Sequence, residues 1–368
     1  MAIDKVTSAA LETSTNQPGL RNIIINGDMS IAQRSTSASS ITGDGYHTID
    51  RIKTEISSGG TWTQSQSTTV PSGQGFATSL KMDCTTANGS LSAGSFGWVS
   101  QRFEGQNLQY LKFGTSSAQT LTASFWVRSN KTGTYICEFA NFTSNKTQSQ
   151  SYTISSADTW EKKTLTFTGD TATAIANSNA RSFNLNFWLL AGTTYTSGTL
   201  NTSFNTLNNA NRAVGQVNLA DSTSNEWYIT GIQLEAGTSA SDFEFLPFDV
   251  NLQRCERYFY QAGTSVNDAG EQNIGIGQWY SASEIVYNVY APTTMRTKPS
   301  LTTPTVTNGY RFHKASSYVE SDTAGSISDA GNQILAVYKS GLSGGTGGQA
   351  TFIVTKSSPA KIQFIAEL

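Results

Sequence analysis

Along most of the chain, apolar and polar residues alternate at a period of two, in short runs separated by Gly, Asn, Asp and Ser. A pleated strand sends successive side chains to opposite faces, so each run predicts a strand with one dry face and one wetter face. Leu80, Met82 and Cys84 alternate with Lys81 and Asp83. Ala123, Phe125 and Val127 oppose Thr122, Ser124, Trp126 and Arg128, and Tyr135, Cys137 and Phe139 oppose Thr134, Ile136 and Glu138. Leu165 and Phe167 alternate with threonines. Phe183, Leu185, Phe187 and Leu189 oppose Asn184, Asn186, Trp188 and Leu190, and Tyr228, Thr230, Ile232 and Leu234 form one more set. The pattern resumes at 285–290, 309–313, 333–339, 350–355 and 361–366. Strands of this kind suit antiparallel sheets packed on a core, and many of them with turn chemistry between argue for a sandwich or jelly roll.

Helical spacing is scarce. Its best instance is 250–259, where Leu252, Cys255 and Phe259 fall at i, i+3 and i+7. Pro247 precedes it and disfavours helix at Leu246, so this stretch is expected to connect two domains. The expected architecture is all-β. An N-terminal arm over 1–20 leads into an antiparallel jelly-roll/β-sandwich domain over 21–250, followed by a second, smaller β-sandwich-like domain over 251–368. Residues 1–20 carry only isolated apolar positions, Ile3, Val6 and Leu11. They read as an arm ordered against a partner, with no signal-peptide run. The glycine-rich stretch 341–348 is expected as a hairpin tip and Gly275-Ile276-Gly277 as a turn. The absence of a fixed-period repeat argues against a propeller or a long β-helix.

Composition narrows the function. Charged residues are 14% of the 368, against about 25% in an ordinary soluble domain. The 24 basic and 26 acidic side chains leave a net charge of −2. Without a basic surplus to neutralise phosphates, nucleic acid is not an expected partner. No run approaches the roughly 20 apolar residues of a bilayer span, so membrane insertion is not expected. His47 and His313 are the only histidines, and Cys84, Cys137 and Cys255 are scattered. Neither a zinc centre nor histidine-based acid–base chemistry is built from so few, and no metal or cofactor is expected. The odd cysteine count reads as reduced thiols, with Cys84 and Cys137 on the core phase of their strands. Asp242 and Glu244 lie close in sequence, while Asp158, Asp170, Glu226 and Glu235 stand singly. They read as turn and surface carboxylates, and the protein is not expected to be an enzyme.

The aromatic residues point elsewhere. There are 7 Trp, 14 Tyr and 18 Phe. Trp126 and Trp188 fall on the wetter phase of strands whose other face is apolar, among Ser124, Arg128, Asn184 and Asn186. Two readings are open. The face is covered by a neighbouring subunit or a second core, where Trp is enriched. Alternatively, sugar C–H faces stack on the rings while amides meet the hydroxyls, and the glycan-binding set is Trp126, Asn184, Asn186 and Trp188. Trp62, Trp98, Trp160, Trp227 and Trp279 read as packing residues.

Residues 21–34 (RNIIINGDMSIAQR), followed by Ile49-Asp50-Arg51, resemble the opening of many bacteriophage tail-fibre and virion proteins. The likeness continues through SFWVR at 124–128, TWEKK at 159–163, GIQLEAG at 231–237, CERYF at 255–259 and PTTMRTKP at 292–299. His47-Thr48-Ile49 stands where such proteins usually place an aromatic residue before the Asp-Arg step. The resemblance implies a jelly-roll domain similar to carbohydrate-binding modules, then a small β domain, in a homotrimeric virion appendage. It implies attachment to host-cell surface glycan through several copies, with residues 1–20 docked on other virion proteins. The chain would be made in a bacterial cytoplasm and carried on the virion. Tail fibre, fibre tip and capsid-mounted decoration fibre share this module, the last with a purely structural role, and a polysaccharide depolymerase is the remaining alternative. Within the opening motif, Asn26-Gly27 suits a tight turn. Arg34 and Arg51 are expected to pair with Asp28, Asp50 or Glu235 as fold-holding contacts.

Overall fold

The computed structural model describes residues 20–263, 271–328, 331–356 and 359–368. The arm expected over 1–20 lies outside the described residues except for Leu20. The chain divides into two compact units: one runs to Pro247 and takes in Leu368, and the other is Phe248–Glu367.

The first unit is an antiparallel sandwich of the jelly-roll kind. Its strands are β1 (Ser37–Ile41), β2 (Lys53–Ser57), β3 (Thr61–Ser67), β4 (Ser79–Thr86), β5 (Phe96–Glu104), β6 (Leu121–Ser129), β7 (Gly133–Asn141), β8 (Lys146–Ile154), β9 (Glu161–Phe167), β10 (Arg181–Ala191), β11 (Asn205–Thr206) and β12 (Glu226–Ala236). One sheet has the order β1-β3-β4-β12-β6-β9 and the other β11-β8-β7-β10-β5-β2. The alternation read from the sequence sets the facing of each strand. Phe125 and Val127 of the first sheet and Phe183, Leu185 and Phe187 of the second are buried in one core, and the Phe125 and Phe187 rings meet edge-on at 5.0 Å. Trp62 and Trp227 are fully buried there, as are the free thiols of Cys84 and Cys137.

The opening motif is not a strand. It is an irregular segment whose buried amides stand in for a strand ladder. Asn22 Nδ2 donates to the Ile232 carbonyl (3.0 Å) while Asn22 Oδ1 accepts from the amides of Leu234 and Ile24. Asn26 Nδ2 donates to the carbonyls of Ile31 and Asp50, and its Oδ1 accepts from the Ile31 amide. Asn26 itself takes the left-handed conformation (φ 63°), as a turn before glycine predicts. Gly27 serves a different purpose: a Cβ there would lie 2.1 Å from the Ile232 carbonyl oxygen. That close approach lets the Ile232 amide bond the Gly27 carbonyl at 2.9 Å. Arg34 pairs with Asp50 at 3.6 Å as expected, and Arg51 donates Nη2 to the Arg102 carbonyl at 2.7 Å.

The second unit opens with a helix, Phe248–Glu256, followed by β13 (Phe259–Gly263), β14 (Gln272–Trp279), β15 (Ile285–Tyr290), β16 (Ser300–Thr302), β17 (Tyr310–Lys314), β18 (Ser317–Ser321), β19 (Ser326–Ile327), β20 (Ile334–Lys339), β21 (Ala350–Thr355) and β22 (Lys361–Ile365). A three-stranded sheet, β13-β22-β16, accompanies a seven-stranded one, β18-β17-β21-β14-β15-β20-β19. Tyr287, Tyr310, Phe312, Ile353 and Phe364 fill the core between them. Two expectations are corrected here. Gly275-Ile276-Gly277 is no turn but lies inside β14, where a Cβ on Gly277 would come 2.1 Å from the Val286 carbonyl of the paired strand. The stretch 341–348 is no hairpin tip either, because β20 and β21 are separated by β14 and β15. It crosses the end of those strands, with Leu342 and Gly345 amides bonded to the carbonyls of Ser283 and Ala282.

The tight passage at Gly27 yields a test. Gly27→Ala forces its methyl against backbone that has no rotamer with which to yield, a clash of the overpacking kind worth about 1–3 kcal/mol. We expect a fall of roughly 3–10 °C in the melting temperature of the first unit. Gly43→Ala, with nothing within 4 Å of the added carbon, should melt with the native protein in the same calorimetric experiment.

Candidate functional site

The outward face of the second sheet is a contiguous field of polar and aromatic side chains. On β10, the alternation that buries Phe183, Leu185 and Phe187 turns Asn184, Asn186 and Trp188 outward. On β5, Val99 and Phe103 enter the core, and Trp98, Ser100 and Arg102 turn the same way. Antiparallel register brings these into rows: Trp188 opposite Trp98, Asn186 opposite Ser100, and Asn184 opposite Arg102. The rows extend to β7, where Glu138 faces Asn186, and to β2, where Glu55 faces Trp98 and Lys53 faces Ser100. Phe96 stacks on Trp98 at 4.6 Å, Trp98 meets Trp188 at 4.6 Å, and Trp188 meets Tyr195 at 5.4 Å.

Two carboxylates organise this face. Glu138 is fully buried and receives three hydrogen bonds: Arg212 Nε (2.7 Å), Arg212 Nη2 (2.8 Å) and Asn186 Nδ2 (2.8 Å). The Arg212 guanidinium also lies over the Trp98 and Trp188 rings, at 5.2 and 5.1 Å. Arg212 belongs to the segment between β10 and β12, so this bidentate pair fastens that segment across Trp188, helped by Ala213, Tyr195 and Leu200. Glu55 accepts from the Trp98 indole (2.6 Å), from Lys53 (2.9 Å) and from Arg102 Nη2. Burial pushes the Glu55 carboxyl up, but Arg102, Lys53 and the indole outweigh burial and hold it below the ordinary glutamate value.

Among the described residues, buried side-chain atoms without a hydrogen-bond partner occur in both units, and five of them, Ser100 Oγ, Arg102 Nε, Asn184 Oδ1, Asn186 Oδ1 and Trp188 Nε1, fall on this face. None of the five residues is more than 9% exposed. They sit on two adjacent strands and on one face. Each such group left unmet costs about 1–3 kcal/mol, a large sum against a stability of about 5–15 kcal/mol. The set is also mixed. Arg102 Nε and Trp188 Nε1 donate, the two amide oxygens accept, and the serine hydroxyl does both. Its complement is a group that both donates and accepts, as water and sugar hydroxyls do.

The structure therefore brings Asn184, Asn186 and Trp188 together and leaves Trp126 out. Trp126 is half-buried on β6, in the other sheet, opposite Thr230 and Lys162. Phe125 and Phe187 touch inside the core, so their neighbours Trp126 and Trp188 point away from each other, and the four expected residues do not form one surface. Around Trp126 the charges are paired with one another: Arg128 with Asp158 (2.8 Å) and Lys81 with Glu226 (2.7 Å). Trp98, Ser100, Arg102, Glu55, Glu138 and Arg212 are the members that sequence reasoning missed. The signal was the alternation Phe96, Trp98, Ser100, Arg102, masked because the inward positions of β5 include Gly97 and Gln101. Gln101 is buried and brackets Ile25, accepting from its amide (2.7 Å) and donating to its carbonyl (2.8 Å). Asp242 and Glu244 form no acid pair. Glu244 accepts the amides of Arg21 and Asn22, and Glu235 is held by Ser241 and Gln233. Among the described residues, no group of three or more His, Cys, Asp or Glu is placed to hold a metal.

The depressed carboxyls predict acid sensitivity. In Glu161, Asp170, Asp221 and Glu226, as in Glu55, burial acts upward and is outweighed by a basic partner, so each sits below its ordinary value. A carboxyl held lower in the folded state contributes stability that is complete above its unfolded value and vanishes as pH falls through its folded value. The melting temperature should begin to fall below about pH 6.5, where His47 and His313, held neutral by burial and by Arg34 and Arg311, bind protons more readily in the unfolded chain, and should fall further below about pH 4 as the carboxyls protonate, as thermal melts across a buffer series would show.

No known protein family and no curated protein matches the chain. Among solved structures, similarity extends to the enzymatically active domain of tailspike protein 4 of bacteriophage CBA120, 14% identical with a TM-score of 0.31 over 59% of this chain. The chain spans 21% of the length of that domain. A putative sugar binding protein from Bacteroides thetaiotaomicron is 11% identical, TM-score 0.32, over 59% of this chain and 100% of its own. The family 11 carbohydrate-binding module of a cellulosomal cellulase from Clostridium thermocellum is 10% identical, TM-score 0.26, over 60% of this chain and 99% of its own.

Proposed function

We propose that the chain is a non-enzymatic bacteriophage virion protein that attaches the particle to host surface glycan, and that the outward face of β5 and β10 receives the sugar. The observation that carries this is the mixed-polarity row of Ser100, Arg102 and Asn184 beside the Phe96–Trp98 ring pair, next to the segment that Arg212 fastens over Asn186 and Trp188. Pyranose hydroxyls offer donor and acceptor at each oxygen, and pyranose C–H faces stack on indole. The carboxylates of the face, Glu55 and Glu138, are each engaged by arginine, which suits binding better than proton transfer. The ordered likeness of residues 21–300 to tail-fibre proteins supports the setting.

Binding of the native protein and its variants to an array of bacterial surface polysaccharides tests the site. Ser100→Ala deletes a hydroxyl that has no partner in the chain. It should therefore leave the melting temperature unchanged or raise it by a degree or two, while weakening glycan binding about five- to tenfold. Asn184→Ala should weaken binding similarly, and Trp126→Ala should not. If native protein retains no glycan, or if folded Ser100→Ala and Asn184→Ala bind as the native protein does, the reading fails.

A specific observation favours association of copies, proposed here through the second unit. The outward face of its seven-stranded sheet carries Ile276, Tyr290, Ile334 and Phe352, each 41–57% exposed. Register places Phe352 opposite Ile276 and Tyr290 opposite Ile334. A contiguous exposed apolar patch of this kind marks an interaction surface. Three copies meeting there would bury it. Light scattering should give the mass of a trimer for the native protein and of a monomer for Ile276→Asp/Phe352→Asp; a native monomer would refute the association.

A further inference from the structure

One end of the polar face carries an arginine with no acceptor bonded to it. Arg181 opens β10, where the register against β5 shifts between Arg181 and Phe183. Its guanidinium carbon lies 3.6 Å from the centre of the Phe142 ring, and among the described residues it makes no hydrogen bond or ion pair. Glu104, opposite Arg181 in register, has Oε2 accepting from Gln106 at 2.6 Å. Arg102, on the same face, gives Nη2 to Glu55 and Nη1 to the Leu368 carbonyl (2.7 Å), and its Nε is unmatched. The other cations of the face each have a carboxylate: Arg102 and Lys53 share Glu55, Lys53 also has Asp44 at 3.6 Å, and Arg212 has Glu138. Guanidinium keeps its charge at any physiological pH. Burial and the neighbouring Arg102 charge press on Arg181 and outweigh the opposing pull of Glu55 and Tyr46, so its guanidinium donors stay without an acceptor.

We propose that the sugar received by this face is anionic, its carboxylate or phosphate oxygens taken by Arg181 with Arg102 Nε beside it, while its ring and hydroxyls meet Trp98, Ser100 and Asn184. The inference rests on the glycan-binding reading and adds the class of ligand. The geometry supplies what an acidic pyranose requires: a fork of guanidinium donors at one end, a mixed row of hydroxyl partners along β5 and β10, and indole faces beside them. A neutral sugar would leave Arg181 as it is, partly desolvated and unpaired.

The test uses the full chain and an array in which each acidic bacterial polysaccharide is printed beside its carboxyl-reduced or dephosphorylated form. The retained glycans should be acidic, and removing the charge should weaken binding tenfold or more. Which treatment abolishes it tells a carboxylate from a phosphate. Arg181→Gln should bind the acidic form no better than native protein binds the neutralised form, with its melting temperature unchanged or raised because an unpaired charge has been removed. Retained glycans that are neutral, or that bind equally before and after neutralisation, overturn the inference while leaving the glycan reading intact. If nothing is retained by native protein, the glycan reading itself falls and takes this one with it.

Discussion

A carboxylate on a central strand, pointing away from the core, is ordinarily met by water. Glu138 is shut away from water, and an isolated buried carboxylate is among the most expensive things a fold can hold. The chain resolves this by bringing Arg212 from 74 residues further on to make a bidentate pair, with Asn186 as the third donor. That one requirement has consequences across the whole face. The segment carrying Arg212 must lie over β7 and β10, so Trp188 becomes buried and the indoles of Trp98 and Trp188 acquire a guanidinium above them. Asn186 commits its amino group to Glu138 and is left with its carbonyl oxygen unmatched. The half of the polar field around Trp188 is thus organised by satisfying a single buried charge, and it is fixed in shape because the pair that fixes it is dry.

The two outward faces of the sandwich show what this changes. Around Trp126 the side chains have found one another: arginine with aspartate, lysine with glutamate, tyrosine beneath both cations. On this face the Trp160 indole, beside Tyr228, is a buried donor left unmatched. Around Trp188 the carboxylates are consumed by arginines, and the serine, the amides, one indole and one guanidinium retain unused hydrogen-bonding capacity. Proteins tend to violate the rule of satisfied polar groups where function requires it, and although unmatched buried atoms also occur elsewhere in both units, five of them are neighbours in register here. Replacing Ser100 by alanine removes no bond found for its hydroxyl, so that hydroxyl is better explained by what the face meets than by what the fold needs.

How much of this could be read beforehand follows from which interactions are local. The alternation in 183–190 and 122–128 is a property of consecutive residues, and it gave the strands, their facing and the inward set correctly. The same logic placed Asn184, Asn186 and Trp188 on one surface. It could not reveal that Trp126 belongs to the opposite sheet, because sheet membership is decided by partners distant in sequence. Nor could it show that residues 192–217 cover Trp188, a consequence of the long-range Glu138–Arg212 pair. Strand β5 was missed as part of the site because Gln101, a polar residue, occupies a core-facing position to hold Ile25, which breaks the apolar phase that the eye follows. The Gly275 and Gly277 pair was read as a turn because glycine usually marks one, yet the paired strand's backbone comes too close for any side chain there. Asn26 was legible as a left-handed residue, but the work of Gly27, making room for the Ile232 carbonyl, depends on a strand two hundred residues away.

Five hydrogen-bonding atoms and a few rings make a small site. Net gains near 1 kcal/mol per hydrogen bond, set against several kcal/mol of lost translational and rotational freedom, leave a single contact in the weak, roughly millimolar range. An unpaired arginine adds to that but does not transform it. Weak recognition becomes attachment only when several sites are tied together, since each contact after the first is then intramolecular. The exposed apolar sheet of the second unit and the polar face of the first are therefore linked in the proposed function. Without association a site of this size would release its sugar too readily to hold a particle, and without the site association would bring nothing to the cell surface.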